Sequence, residues 1–386
     1  MRGPGGAVAE IDLAADDPLP EVLVYAPLAY VLVRDAGRPV ARLVLEGDTP
    51  RDRATLFARA REVASVLPAP HAGGVVVEPG AVSVIVATRD RPHDLEACLL
   101  ALSQLAPGPG EVVVADSASA APALVAMTAR KYGARYVRCR RPGLSIARNT
   151  GARAARSAIL AFLDDDCRVE AGWLRALCEG FGADGGDVVT GQLLPSELET
   201  EAQQLFLHYS HMDRRGFVPR RFTRDSRESK HWPIDAWRMG SGGNLAVRSD
   251  AYWQLGGFRA DLGLGTPALG GEDLFFLWSV VVDGGTVVYR PDALAWHRHH
   301  RDAAALERVM FGYGCGHSAF IAAARSAGAA RGRVALYRAS FWYDRFKRLG
   351  RSLARRWPVP AHLVLREMAG SLAGRHRFRR AHREVA

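Results

Sequence analysis

Ile159-Leu-Ala-Phe-Leu-Asp164-Asp165-Asp166 is an apolar run that ends abruptly in three consecutive carboxylates. Such a run, bounded by polar residues, is typical of a buried strand, so the carboxylates should lie where the strand leaves the core. Ligands of open α/β proteins bind at that edge of the sheet. Asp164 and Asp166 are two residues apart, so on an extended backbone their side chains point the same way and can converge on one Mg²⁺ or Mn²⁺ ion. A solvated acidic turn is the alternative for a triplet considered alone.

The chain is long and apolar enough for more than one folded domain, with 386 residues, 48% hydrophobic and 24% charged. It has no apolar run of roughly eighteen residues, and no apolar segment follows its first residues, so we expect a cytoplasmic protein without a signal peptide. The five cysteines are scattered, with no Cys-x-x-Cys pair. This argues against a disulfide framework and against a zinc module.

The net charge of +10 is concentrated near the C-terminus. Residues 331–386 contain fifteen Lys or Arg and three Asp or Glu, a net charge of +12, which leaves −2 for the rest of the chain. Phe341-Trp342-Tyr343 and Leu363–Leu372 offer apolar faces among these arginines, and anionic lipid attracts such segments. Two interpretations remain open: peripheral attachment to the inner face of a membrane, and a solvated Arg-rich helix. No nucleic-acid-binding motif is visible, so no nucleic acid partner is expected.

Three segments follow from the pattern of strands, helices and breaks. They are a small N-terminal α+β unit with a linker (1–78), an α/β domain (79–302) and a basic helical C-terminal region (303–386). In the first segment the pattern predicts three strands, a helix and a linker, in the order Val22–Tyr25, Tyr30–Arg34, Ala41–Leu45, Arg51–Leu67 and Pro68–Gly74.

The middle segment alternates strands and helices up to the triplet. The predicted strands are Val82–Ala87, Glu111–Ala115, Tyr136–Arg138 and the run from Ile159, and the helices between them are Arg91–Leu105, Pro122–Tyr132 and one that opens near Ser145. Crossovers of this length imply right-handed βαβ units and a mixed, mainly parallel sheet flanked by helices. The polar stretch 197–237 has the length of a functional loop.

Four other stretches accompany the triplet. Thr88-Arg89-Asp90 and Asp116 each follow an apolar strand, and a carboxylate at Asp116 could accept the N3–H of uracil or thymine, which cytosine lacks. Gly143–Gly151 feeds a helix whose N-terminal N–H groups, with Arg148, could meet a phosphate. Gly271-Glu272-Asp273 places an acidic pair at the start of an apolar helix. Each stretch taken alone is commonly structural.

The order of these stretches, with Gly240–Asn244 between the triplet and the acidic pair, resembles the family 2 glycosyltransferases, which have the GT-A fold. The resemblance covers residues 82–300 and implies inversion at the anomeric carbon. It implies Mn²⁺ or Mg²⁺ on Asp166, with Asp164 near the ribose and the metal, and it makes Asp273 the catalytic base, with Glu272 beside it. The implied donor-binding residues are Thr88, Arg89, Asp90, Asp116, Arg148, Asn149, Asp164, Asp165, Gly243 and Asn244.

Two positions depart from the family pattern, and one histidine extends it. Ser117 stands where many relatives have an acidic residue or Asn, and Arg89-Asp90 stands where Tyr-Asn is usual. His297 follows the last predicted strand, where some GT-A enzymes place a histidine on the metal or diphosphate. A metal ligand and a hydrogen-bonded core residue are both compatible with the sequence at His297.

The sequence therefore predicts a metal-dependent, inverting glycosyltransferase. It would move a hexosyl or deoxyhexosyl group from a UDP- or dTDP-linked donor to a hydroxyl on a glycan, lipid-linked or small-molecule acceptor. A nucleotidyltransferase of similar fold is one rival, although Thr88-Arg-Asp-Arg lacks the Gly-rich, Lys-containing signature of that class. A nucleotide-sugar-binding protein without turnover is the other.

Overall fold

The computed structural model describes residues 5–47, 49, 51–64, 77–182, 184–210 and 215–385. The N-terminal part is a three-stranded sheet with two helices. Its elements are β1 Ala7–Asp12, α1 Val22–Tyr25, β2 Leu28–Asp35, β3 Arg38–Glu46 and α2 Arg53–Val63. β2 is the central strand, parallel to β1 and antiparallel to β3.

The prediction of a strand at Val22–Tyr25 is wrong. This segment is a single helical turn, α1, that buries Leu23 in the N-terminal core. Pro20 and Pro27 bracket the run, and the Leu23 N–H donates to the Pro20 carbonyl, which bends the chain before the turn. An apolar run of four residues looks the same in a buried turn and in a strand. The predicted linker Pro68–Gly74 lies outside the described residues.

Alternate residues of β2 face two different cores, because successive side chains of a strand point to opposite faces. One face packs on α2 within the N-terminal part, through Ala29, Val31 and Val33. The other face packs on the central domain, where Leu28, Tyr30 and Leu32 meet Leu194, Leu198 and Leu294. An ion pair of 2.5 Å between Arg34 and Glu170 lies at the same junction.

The central domain is a nine-stranded mixed sheet with helices on both faces, as described by the elements that follow. They are β4 Val82–Thr88, α3 Pro92–Ser103, β5 Glu111–Asp116, α4 Pro122–Lys131, β6 Arg135–Arg138, α5 Leu144–Ala154, β7 Ile159–Asp164, β8 Cys167–Val169, α6 Trp173–Gly182, β9 Val188–Pro195, α7 Glu201–Tyr209, β10 Arg220–Phe222, β11 Asn244–Arg248, α8 Ser249–Gln254, α9 Glu272–Val282 and β12 Val287–His297.

The sheet confirms the predicted α/β class. Its strand order is β10-β12-β9-β11-β7-β4-β5-β6, and β8 pairs with β12. The predicted βαβ units form the parallel half, β7-β4-β5-β6. β11 then enters antiparallel between β7 and β9, so the second half is mixed. β4 is buried on both faces, with Ile85 in one core and Val84 and Val86 in the other, which explains why its sequence is continuously apolar.

Strand register brings the predicted polar residues into one row. Thr88 at the end of β4 pairs with Asp116 at the end of β5, and Ala87 pairs with Asp164 at the end of β7. β12 returns beside β9 and ends at His297, opposite Cys167 of β8. The carboxyl ends of the parallel strands and the last residue of β12 therefore lie at the same edge of the sheet.

Three long helices form the C-terminal part: α10 Ala303–Ser326, α11 Arg331–Leu353 and α12 Ala361–Val385. α10 and α12 touch backbone to backbone at glycines. A Cβ on Gly314 would lie 1.9 Å from the Glu367 carbonyl oxygen, and one on Gly370 would lie 2.0 Å from that of Phe311. Within the described residues, no helix has both the length and the apolar composition needed to cross a bilayer.

Gly370→Ala should separate α10 from α12 and destabilise the protein. The added methyl group meets backbone, which cannot rotate away, so a penalty of about 1–3 kcal/mol or more is expected. Gly350→Ala is the matched control, because a Cβ at this position in α11 meets nothing within 4 Å. It should leave stability unchanged or raise it by roughly 0.5–1 kcal/mol. Thermal unfolding of both variants checks this, and equal melting temperatures would contradict it.

Candidate active site

The middle carboxylate of the triplet points into the protein. Asp165 is 5% exposed, and it accepts hydrogen bonds from Thr88 Oγ1 at 2.7 Å and from Arg91 Nη1 at 3.2 Å. Burial and the neighbouring Asp166 charge raise the pKa of Asp165. These contacts join the end of β7 to the end of β4. Thr88 and Asp165, both predicted to bind the donor, thus bind each other.

Asp166 faces His297 across the end of β8. Asp166 Oδ1 lies 3.1 Å from His297 Nε2, while Oδ2 accepts a 2.9 Å hydrogen bond from Arg91. Burial alone would raise the pKa of Asp166, but the charges of His297 and Arg91 lower it. Burial would likewise lower the pKa of His297, but Asp166 raises it. A proton is therefore held between the two side chains in the absence of another cation.

The surroundings of Asp166 fit a divalent cation. Asp166 Oδ1 is buried, and no hydrogen bond to it is present among the described residues. Asp166, Cys167 and His297 each offer a ligand atom, and these atoms lie within 4.8 Å of one another. Burial raises the pKa of the Cys167 thiol well above its usual value, so this sulfur stays protonated and is a poor ligand. Carboxylate oxygen and imidazole nitrogen remain, a donor set that suits Mn²⁺.

His299 fixes the orientation of His297. The Nδ1 atoms of the two rings are 2.8 Å apart, so one donates to the other. The His299 ring packs on Phe206 of α7 at 4.3 Å between centroids, and burial lowers the pKa of His299 well below its usual value. A neutral His299 thus holds the far nitrogen of His297, which leaves Nε2 toward Asp166. This is the arrangement by which a second residue orients a metal-binding histidine.

Asp164 turns away from this group and toward Arg148. The Arg148 guanidinium is 2% exposed and donates to Asp164 Oδ1 at 2.8 Å and to Glu272 Oε1 at 3.1 Å. It also lies 5.1 Å from the Phe258 ring centroid. The predicted pair Asp164 and Asp166 therefore has two different partners. Arg148, predicted to meet phosphate, instead joins the end of β7 to the start of α9.

Two glycines let the loop before β11 fit between these side chains. A Cβ on Gly243 would lie 2.4 Å from Asp164 Oδ2, and one on Gly242 would lie 2.8 Å from Arg148 Nη1 and 2.9 Å from Asp273 Cβ. The Gly242 N–H donates to Asp273 Oδ2 at 3.1 Å. The loop therefore connects the triplet to the acidic pair through contacts that only glycine permits.

Asp273 is the more accessible member of the acidic pair at the start of α9. Glu272 is 6% exposed and bound to Arg148, whereas Asp273 is only partly buried. Gly271 precedes the helix at a φ of 85°, and a Cβ there would lie 2.4 Å from the Gly316 carbonyl oxygen of α10. Close packing on α10 thus sets the position of the acidic pair.

Three predicted donor-binding residues are occupied by internal contacts. Asp116 is fully buried and accepts from the Ser119 N–H at 2.8 Å and from the Tyr136 hydroxyl at 2.7 Å. Asn149 binds the backbone of Phe258 through both ends of its amide. Asn244 binds Trp173 Nε1 and two backbone carbonyls. Arg89 and Asp90, by contrast, are exposed at the loop after β4.

Comparison with known proteins agrees with this geometry. Residues 83–256 match the model of the family described as Glycosyl transferase family 2. A 163-residue stretch is 32% identical to the succinoglycan biosynthesis protein ExoM of Rhizobium meliloti (strain 1021), covering 41% of this chain and 45% of ExoM. Residues 83–256 therefore belong to glycosyltransferase family 2. The chain spans less than half of the length of this curated relative.

Two solved structures share part of the family 2 domain's architecture. The mannosyltransferase PcManGT from Pyrobaculum calidifontis, in complex with GDP-Man and Mn²⁺, is 16% identical, with a TM-score of 0.49 over 78% of this chain and 90% of that one. GalNAc-T7 with UDP, GalNAc and Mn²⁺ is 14% identical, with a TM-score of 0.42 over 71% of this chain and 57% of that one.

Arg91 and Tyr313 are residues of the family 2 domain's site that the sequence did not single out. Arg91 binds two carboxylates of the triplet, and its position four residues after the end of an apolar strand is the only signal of this role. Tyr313 lies on α10, where burial and the Asp273 charge raise the pKa of its hydroxyl. A tyrosine forty residues after the acidic pair gives no sequence pattern that would place it there.

Glu272→Gln should remove a pH dependence of stability. Burial and the Asp273 charge raise the pKa of Glu272 from 4.5 to about 7, although Arg148 opposes the shift. Between these values the folded state holds one proton more than the unfolded state. The stability due to protonated Glu272 is therefore fully present below pH 4.5 and is lost as the pH rises through about 7.

Melting temperatures measured from about pH 5 to about pH 8 check this expectation. The wild-type protein should lose roughly 1–3 kcal/mol more than Glu272→Gln over that range. Curves that stay parallel would show that Glu272 is ionised throughout.

Proposed function

We propose that this protein is a metal-dependent, inverting glycosyltransferase with a UDP- or dTDP-linked sugar donor. Its acceptor would be a hydroxyl on a glycan, lipid-linked or small-molecule substrate. The observation that carries the proposal is the proximity, within a family 2 domain, of an Asp166–His297 pair suited to a divalent cation and a partly exposed Asp273 at a helix start. Gly242 and Arg148 connect the two groups.

Asp166 and His297 would hold the Mn²⁺ or Mg²⁺ ion. When bound, such an ion neutralises charge on a diphosphate, which is worth several kcal/mol of transition-state stabilisation. Arg91 binds Asp165 and Asp166 and is 38% exposed, so its guanidinium can also reach a donor phosphate without leaving the triplet. The exposed Arg89 lies beside it on the same loop.

Asp273 would act as the general base. The acceptor oxygen forms a bond to the anomeric carbon while the bond from this carbon to the diphosphate oxygen breaks. The acceptor proton passes to Asp273, and the electron pair of the broken bond leaves with the nucleoside diphosphate. The Gly242 N–H holds Asp273 Oδ2 at 3.1 Å. A positioned base of this kind contributes roughly 10²–10⁴-fold to the rate.

A pair of variants separates donor binding from transfer. Asp166→Asn should abolish the Mn²⁺-dependent part of UDP or dTDP binding, measured by calorimetry against GDP and CMP. Asp273→Asn should keep that binding and lower the release of nucleoside diphosphate from the sugar donor by roughly 10²–10⁴-fold. No metal-dependent nucleotide binding by the wild-type protein would contradict the proposal. Donor binding without any release would instead support a binding protein without turnover.

We also propose that α11 attaches the protein to an anionic membrane surface. Tyr343, Phe346 and Leu353 are 72%, 59% and 70% exposed, and their spacing places them on one side of the helix. Fifteen Lys or Arg occur between residues 331 and 386. An exposed apolar stripe among basic residues is typical of a helix that lies in the membrane interface.

Replacement of Tyr343, Phe346 and Leu353 by Ser should weaken binding to vesicles that contain phosphatidylglycerol by at least about tenfold, because each apolar side chain contributes on the order of 1 kcal/mol. Met127→Ser is the control, since Met127 is 64% exposed on α4, far along the chain from the basic helices. Vesicle sedimentation measures the difference. Equal losses in both variants, or no loss in the triple variant, would exclude attachment through α11.

A further inference from the structure

The three C-terminal helices enclose a groove of about 630 Å³. Its apolar wall combines aliphatic and aromatic side chains from all three helices, namely Ile321, Val334, Phe341, Trp342, Leu372 and Phe378. Leu372 is 73% exposed at this groove. None of the candidate active-site residues lines the groove, which therefore requires an explanation other than the transfer reaction.

The groove is strongly basic. Arg325, Arg331, Arg338, Arg375 and Arg379 line it, and no carboxylate is among the described lining residues. The acidic residues of the same helices are bound elsewhere: Glu307 to Arg366, Asp344 and Glu367 to Arg345, and Glu384 to Arg380. The positive charge of the groove is thus not neutralised by the helices that form it, and it favours an anionic ligand.

His317 adds a polar group inside the groove. Its ring stacks on Phe341 at 3.9 Å, and neither ring nitrogen has a hydrogen-bond partner in the part of the chain that the structure describes, although both are buried. Burial, with Arg345 and Arg338, lowers the pKa of His317 to about 3, so the ring is neutral and offers one donor and one acceptor. Buried polar atoms without partners are rare and point to a ligand that supplies them.

We propose that this groove binds one molecule of an anionic lipid with a phosphate headgroup. The phosphate lies among the arginines, the polar backbone of the lipid meets His317, and a hydrocarbon chain covers the apolar wall with Leu372. A nucleic acid fits less well, because the aliphatic part of the wall offers no surface for base stacking. This site is separate from the transfer reaction and does not require a bilayer.

Calorimetry with a short-chain lipid below its micelle concentration tests the proposal on the full chain. Dihexanoyl phosphatidic acid should bind with a stoichiometry of one. Inorganic phosphate and dihexanoyl phosphatidylcholine should each bind at least about tenfold more weakly, because the first lacks the chains and the second lacks the net charge. Equal binding of inorganic phosphate would reduce the groove to an anion site, and absence of saturable lipid binding would overturn the proposal.

Variants then locate the site. Arg338→Gln and Arg375→Gln should each weaken lipid binding by about tenfold, the usual effect of one charge-assisted hydrogen bond. Arg333→Gln is the control, because Arg333 is exposed on α11 but does not line the groove. Ala335→Trp, at an exposed lining position, should fill the groove and block the lipid while leaving the melting temperature and Mn²⁺-dependent nucleotide binding unchanged. An equal loss in Arg333→Gln, or full binding by Ala335→Trp, would place the lipid elsewhere.

Discussion

The buried guanidinium of Arg148 connects the parts of the candidate active site. It lies between Asp164 at the end of β7 and Glu272 at the start of α9, two segments more than one hundred residues apart. A buried charge without a partner costs several kcal/mol, so the three side chains depend on one another. Because Gly242 and Gly243 fill the space against Arg148 and Asp164, the loop before β11 can adopt only a conformation that leaves this ion pair intact. The position of Asp273, next to Glu272, follows from the same contact.

The C-terminal helices take part in the same arrangement from outside the matched family segment. Gly271 approaches the backbone of Gly316, so the start of α9 rests on α10. α10 in turn is held by α12 through glycine contacts. On the other side, α7 packs on His299 through Phe206, and the Tyr209 hydroxyl of the same helix binds Glu367 of α12. The acidic pair and the Asp166–His297 pair are thus both supported by helices that the family model does not cover.

The sequence predicted the sheet better than the contacts within the site. Apolar runs such as Ile159–Leu163 have few structural alternatives when helices of crossover length separate them, so the parallel half and its polar edge followed from pattern alone. Side-chain pairing did not follow. Alternation along an extended strand put Asp164 and Asp166 on one side, but β7 ends at Asp164, and the turn after it gives the two residues different partners. Arg91 and Tyr313 escaped notice because their roles arise from tertiary packing, which leaves no periodic signal.

The two-sided burial of β2 has a consequence for how this chain divides into folding units. The N-terminal sheet is a wall of the central core, since Leu28, Tyr30 and Leu32 cover Leu194, Leu198 and Leu294. Leu294 lies on β12, the strand that ends at His297. A shortened chain without the first fifty or so residues would present these leucines to water as a sticky apolar patch, a common cause of self-association. The smallest fragment that folds and stays monomeric therefore has to be chosen by this hydrophobic contact, and a boundary drawn from sequence similarity to other proteins would fall in the wrong place.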